Sequence, residues 1–294
     1  MKEVQKAKAA FLTAILIYGT LGVFVRYAGQ SSTLVALARS SIGTLFLLGL
    51  MAAKRQKLDW AAIRRNWKPL LIAGVLLGLN WVTLFEAYEY TTVAVATLCT
   101  YMNPVIIVLG AAVLMHEKLT ARKLVCIGAA LVGMVFVSGV ADSGLPSAGE
   151  TKGILLGLLT AVLYGTIVLS NKHLRGISAY DRTVVQLFIT TLVLLPYCAL
   201  RGDFAGLHIT AAQGALLVIL GVVHTGLAYS LYFGSMADLP AQTLAILSYL
   251  DPVTAVLLSA LVLHEPLSGF EILGAVCILG AAVVSELPVR TKKM

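Results

Sequence analysis

Between Leu98 and Thr120 the chain reads LCTYMNPVIIVLGAAVLMHEKLT, and between Ile246 and Ser268 it reads ILSYLDPVTAVLLSALVLHEPLS. The two stretches stand 148 positions apart and agree at 9 of 23 positions. Apolar matches arise easily in a Leu- and Val-rich chain. These matches, however, pair Tyr101 with Tyr249, Pro104 with Pro252, His116 with His264 and Glu117 with Glu265. A shorter pair lies elsewhere: Tyr18-Gly19-Thr20 answers Tyr164-Gly165-Thr166, and Arg26 is answered by Lys172. An offset close to half of 294 residues points to an internal duplication. Each quoted stretch also holds about 20 largely apolar residues, the length that crosses a bilayer as a helix.

The rest of the chain has the same character. It is 59% apolar and 12% charged, with a mean hydropathy of +0.91. Soluble domains carry about 25% charged residues, so a soluble enzyme, a nucleic-acid binder and a disordered chain are all disfavoured. Ten apolar spans are expected, at 9–27, 33–53, 69–89, 92–115, 121–139, 153–172, 183–200, 212–236, 241–263 and 269–287. A polar stretch with Asp142, Ser143, Gly144, Pro146, Ser147 and Gly149 marks a linker at 141–152, dividing a first repeat (1–140) from a second (153–294). Five spans per copy is an odd number, so the second copy enters the membrane from the opposite face. The expected fold is an all-α membrane protein of ten transmembrane helices, arranged as two inverted five-helix repeats. Carriers are built this way, with a site near the midplane where two repeats meet.

The basic residues set an orientation. With a cytoplasmic N-terminus, 18 of the 22 Lys and Arg residues fall on the cytoplasmic side. Only Arg26, Lys152 and Arg201 fall outside, and Arg39 falls within a span. This distribution follows the positive-inside rule. It places both termini in the cytoplasm and the linker outside a plasma (inner) membrane, and it accounts for the net charge of +8 without nucleic acid. The four cysteines (Cys99, Cys126, Cys198 and Cys277) sit in apolar runs and read as core residues.

On these residues the chain resembles the drug/metabolite transporter superfamily, specifically its ten-helix EamA branch. The matching features are the two five-helix halves, Pro104 and Pro252, and the Glu117-Lys118-Leu119 and Glu265-Pro266-Leu267 ends. Arg39 and the Phe85-Glu86-Ala87-Tyr88 run also match. The resemblance spans essentially the whole chain. It implies a carrier of small metabolites, with amino acids and choline-like cations among the substrates of its members. Strict symmetry fails at Asn80 and Glu86, which face Ala228 and Gly234 at the same offset. An asymmetric pocket is therefore expected.

Polar groups inside a membrane are costly, so each needs a partner or a task. A proline within a helix strips a carbonyl of its donor. Pro104 and Pro252 are thus expected to kink their helices and free the carbonyls of Thr100 and Ser248. Asp251, on an arc with Ser248, Thr254 and Ser259, is a candidate proton carrier or ammonium ligand, with His224 as its expected partner. Glu86 shares an arc with Asn80 and Thr83, and an Arg39–Glu86 ion pair is the expected outer gate. The alternative for Arg39 is contact with backbone carbonyls, with Glu86 facing substrate. Trp81, Tyr101, Tyr229 and Tyr249 are the aromatic candidates for a wall that stacks a ring or cages a cation. Tyr18, Tyr88, Tyr164 and Tyr232 also lie too deep for an interfacial belt. The pairs Gly74–Gly78 and Gly153–Gly157 read as close helix packing.

No phosphate-binding loop, zinc-protease or hydrolase motif, or dinucleotide loop is present in the sequence. The reading is a secondary transporter working by alternating access, with no catalytic residue, metal or cofactor. Its expected partners are a small-molecule substrate, coupled protons and the lipid bilayer. Export of an amino acid or similar zwitterion is the leading assignment, and an organic cation such as choline is the alternative.

Overall fold

The computed structural model describes residues 2–114, 121–137, 146–171, 173–236, 239, 244, 247–248 and 250–286. Among these every regular element is helical: α1 (Lys2–Gly19), α2 (Leu21–Ala28), α3 (Ser32–Ala53), α4 (Trp60–Arg65), α5 (Trp67–Tyr90), α6 (Val93–Thr100) and α7 (Asn103–Leu114) come first. Then follow α8 (Ala121–Val137), α9 (Ala148–Asn171), α10 (Ala179–Arg201), α11 (Ala211–Gly221), a π-helical segment (Val222–Leu227), α12 (Ala228–Met236), α13 (Leu250–Val262) and α14 (Gly269–Glu286). Seven described segments are long and apolar enough to cross a bilayer. They are Val4–Ala28, Ser32–Ala53, Trp67–Tyr90, Val93–Gly110, Ala148–Asn171, Ala179–Arg201 and Ala211–Ser235. The shorter apolar helices Leu124–Val137, Leu250–Val262 and Gly269–Val284 fall inside the other three expected spans. The outer surface carries Leu45, Val113, Val125 and Leu200 at 69%, 72%, 71% and 88% exposure, a surface suited to lipid and not to water.

Side chains close the helix starts that the apolar pattern leaves open. Ser31 caps α3 at Leu34 N, Thr92 caps α6 at Val95 N, Ser178 caps α10 at Asp181 N, and Thr210 with Gln213 forms a capping box on α11. The loop expected at 54–68 contains the short helix α4, started by the Asp59 side chain.

Loop contacts sort into two ends of the bundle. At one, the near end, Arg65 and Asn66 bond to the Arg175 carbonyl, Asn66 accepts from Arg175 N, and Arg122 reaches the Val284 carbonyl. At the other, the far end, Arg26 pairs with Glu265 at 2.9 Å, Val93 N donates to Glu265, and Thr33 donates to Asp203. Small residues bring helices together between these ends. A Cβ on Gly74 would stand 2.7 Å from Ile189 of α10, and one on Gly157 would stand 2.7 Å from Cys99 of α6. Both glycine pairs thus lie on helix contacts, although Gly78 sits at ordinary van der Waals distance from Thr190 and Leu194.

Three expected continuous helices are interrupted, each for a local reason. The fourth span breaks at Tyr101 and Met102, and Pro104 is the second residue of α7. A proline in the first helical turn costs no hydrogen bond, since that N–H has no helical partner. The expected kink at Pro104 is therefore a chain break, whereas the approach to Pro252 runs through Tyr249, outside the described residues. The first span turns at Thr20, whose hydroxyl bonds the Ile17 carbonyl at 2.7 Å. The eighth span contains the π segment, where Thr225 donates to the Leu220 carbonyl five residues back.

Candidate functional site

The break before Pro104 meets α13 at Asp251. Tyr101 Oη donates to Asp251 Oδ2 at 2.8 Å, joining a residue of the first repeated stretch to one of the second. Around this contact lies a cavity of about 770 Å³. Thr100, Tyr101, Asn103 and Pro104 line one side of it, and their counterparts Ser248 and Asp251 line another. Along α5 the lining residues are Leu77, Asn80, Trp81, Leu84 and Tyr88, spaced as one helical face.

The walls are aromatic and charged. Tyr18 meets Tyr229 and Tyr232 edge-on, with ring centroids 5.9 and 6.1 Å apart, and Phe233 adjoins both Tyr229 and Tyr232. Among the described residues, three charged ones face the cavity: Arg39, Arg182 and Asp251. Arg39 is 2% exposed, and its guanidinium lies 4.1 Å from the Trp81 ring centroid. Its Nε donates to Thr225 Oγ1 at 3.2 Å, while Nη1 has no hydrogen-bond partner among the described residues. Arg182 lies against the Phe233 ring at 5.6 Å.

The cavity is not centred between the two ends. On α9 it is lined by Tyr164, Ile167, Val168 and Asn171, the last being two residues before the turn at His173. On α10 it is lined by Arg182, Thr183 and Gln186, within two turns of the helix start. Both positions belong to the near end, where Gln186 also donates to Asn171 at 2.8 Å. Toward the far end α2 closes on α6, since a Cβ on Gly22 would stand 2.3 Å from Val93. The Arg26–Glu265 pair lies beyond that contact.

Of the expected site residues, Arg39, Asn80, Trp81, Pro104, Tyr101, Tyr229 and Asp251 line the cavity. Glu86, His224 and Pro252 do not, and Tyr249 lies outside the described residues. Two expected pairings are corrected. Arg39 does not pair with Glu86: it stacks on Trp81 and bonds Thr225, and Glu86 accepts instead from Ser32 Oγ at 2.7 Å. His224 is not the partner of Asp251: its Nε2 meets Thr20 Oγ1 at 2.8 Å, and its ring packs on Phe24. The arc of Asn80, Thr83 and Glu86 is also divided. Asn80 Nδ2 donates to the Thr160 carbonyl and the Thr83 hydroxyl meets that of Thr160, tying α5 to α9. His116, Glu117 and Lys172 lie outside the described residues, and Glu265, at the end of the second repeated stretch, holds Arg26 and the start of α6. Sequence reasoning missed Arg182, Gln186 and Asn171 as lining. Arg182 and Gln186 stand one turn apart in a span of otherwise apolar character, which was the available signal.

A lipid-facing helical bundle around a polar, aromatic cavity has the construction of a membrane carrier. The model of the EamA-like transporter family matches residues 5–139 and again 151–286, and the chain belongs to that family. A Bacillus subtilis protein named "Uncharacterized transporter YxxF" is 26% identical over 284 residues, covering 97% of this chain and 90% of its own. The "Aromatic amino acid exporter YddG" of Ancylobacter novellus is 24% identical over 282 residues, covering 95% of this chain and 96% of its own. A crystal structure 23% identical in sequence aligns with a TM-score of 0.64 over 96% of each chain, a likeness of fold. The protein is therefore an all-α membrane transporter.

Proposed function

We propose that the protein is a secondary transporter that exports an amino acid, or a zwitterion of similar size, from the cytoplasm by alternating access. One observation carries this reading: one cavity presents guanidinium groups, a carboxylate and aromatic rings together, and its lining reaches Asn171 of α9 and Arg182 of α10 at the near end. A zwitterion needs both signs of charge. The name of the A. novellus relative points the same way. The near end holds Arg64, Arg65, Lys68 and Arg175, which supports placing it in the cytoplasm. Lining groups at that end would then meet cargo from inside, as an exporter requires before it opens outward.

In this reading the two family-model matches are five-helix repeats of opposite orientation, joined by the outside linker, with both termini cytoplasmic. Asp251 is the group on which a coupled proton would ride, and no catalytic step is involved. The alternative cargo, a cation such as choline, would use Asp251 and the tyrosine rings. Arg39 and Arg182 on the same walls oppose it.

Two experiments test the reading. Cysteine at Ser147 should react with an impermeant maleimide in intact cells, whereas cysteine at Lys57 should react only after lysis. The reverse pattern overturns the orientation. Proteoliposomes loaded with a mixture of L-amino acids should show saturable counterflow of a labelled member of that mixture, and choline-loaded vesicles should show none for labelled choline. Counterflow of choline alone would make the cation reading correct, and linear, non-saturating flux would make the protein a channel.

A further inference from the structure

We propose that the Arg39 guanidinium is the anchor for the carboxylate of the transported molecule, with Thr225 of the π segment as its positioning residue. This inference rests on the zwitterion reading above. A buried guanidinium without a partner carboxylate needs something else to offset its lost hydration. Trp81 supplies part of it by stacking, at 4.1 Å from the ring centroid. Stacking engages the face of the planar group and leaves its edge of N–H donors free. One edge donor, Nε, is used on Thr225. Nη1, buried and without a partner among the described residues, belongs to a side chain that lines the cavity. Asp251, the described cavity carboxylate, takes its hydrogen bond from Tyr101 instead. The remaining edge of Arg39 thus has the planar fork that a carboxylate fits.

The local backbone explains why the fork is held in place. A hydroxyl has one proton to give, and Thr225 donates it to the Leu220 carbonyl at 3.1 Å. Its oxygen is left as an acceptor for Arg39 Nε, so the polarity of the contact is fixed. Close approach of α3 to the π segment makes the contact possible. A Cβ on Gly43 would stand 2.5 Å from Thr225, and one on Gly226 would stand 2.2 Å from Phe46. The π segment therefore serves the site by turning Thr225 onto Arg39, a common use of such an insertion.

The test uses the full chain, purified, with melting temperature reporting binding. Three probe mixtures are compared: L-amino acids, the matching amines without carboxylates, and the matching carboxylic acids without amino groups. Wild-type protein should be stabilised by the amino acids and by the carboxylic acids, and not by the amines. Arg39→Gln should weaken the affinity for both carboxylate-bearing mixtures by roughly ten- to a hundredfold. Arg39→Lys, which keeps the charge and loses the fork, should recover only part. Should Arg39→Gln fail to fold, Thr225→Val keeps the side-chain volume and removes the acceptor. It should weaken carboxylate binding, and Thr225→Ser should restore it, a rescue that mere packing would not give. If Arg39→Gln or Thr225→Val binds amino acids as wild type does, the anchor is wrong while the zwitterion reading stands. If amines alone stabilise the wild type, or no mixture does, the zwitterion reading fails and the anchor falls with it.

Discussion

Asp251→Asn should reduce transport by roughly 10- to 150-fold while leaving the folded protein in place. The substitution conserves size and keeps an oxygen that can accept from Tyr101 Oη, so the 2.8 Å contact between the two repeated stretches survives. What it removes is the charge. Hydrogen bonds to charged groups contribute about 1.5–3 kcal/mol, which sets the expected range. Tyr101→Phe makes the complementary change. It leaves the carboxylate in the cavity wall without its hydroxyl donor, an uncompensated group costing about 1–3 kcal/mol. That variant should lower the melting temperature and keep measurable transport. If Asp251→Asn transports normally, Asp251 serves only to join α13 to the break before α7. If it is lost with the folded protein, its hydrogen bond is structural and carries no cargo or proton.

The sequence revealed what depends on order along the chain and hid what depends on partners across it. The offset of 148 between Tyr101 and Tyr249 made the duplication legible, because proline, histidine and glutamate rarely coincide inside apolar runs. Spacing on α5 placed Trp81 and Tyr88 on one face, and both line the cavity. Partner choice was not legible. Arg39 and Thr225 are 186 residues apart, and nothing in a hydropathy profile shows that an inserted residue turns Thr225 onto α3. The same holds for the expected Arg39–Glu86 pair: Ser32 donates to Glu86, and Arg39 stacks on Trp81. Arg182 read as one more cytoplasmic charge because it stands near a helix start. Its side chain instead reaches Phe233 inside the cavity.

At the far end, which the proposed orientation places outside, Glu265→Gln should expose the cavity. Glu265 holds three elements at once. Its Oε1 accepts from Arg26 of α2 at 2.9 Å, and its Oε2 accepts from Val93 N at the start of α6 and from Ser259 of α13. Arg26 also reaches the Thr91 carbonyl. The pair is partly solvated, with side chains 31% and 13% exposed, so its loss is worth on the order of 1–2 kcal/mol and not the value of a buried pair. In the alternating access proposed above, that energy favours the far-closed state alone, since release at the far end would separate α2, α6 and α13. Weakening it should multiply the far-open population by roughly 5- to 30-fold. Thr97 is the place to measure this. It lines the cavity below the seal and is 8% exposed, and cysteine is close to threonine in size, so the substitution disturbs little. With the four native cysteines replaced, Thr97→Cys should react slowly with an external maleimide, and faster by that factor when Glu265→Gln is added. Equal rates would show that the contact only trims the surface. Exchanging the charges, Arg26→Glu with Glu265→Arg, should not restore slow labelling fully. The swap rebuilds the ion pair but turns a guanidinium, which accepts nothing, toward the Val93 N–H that a carboxylate now holds.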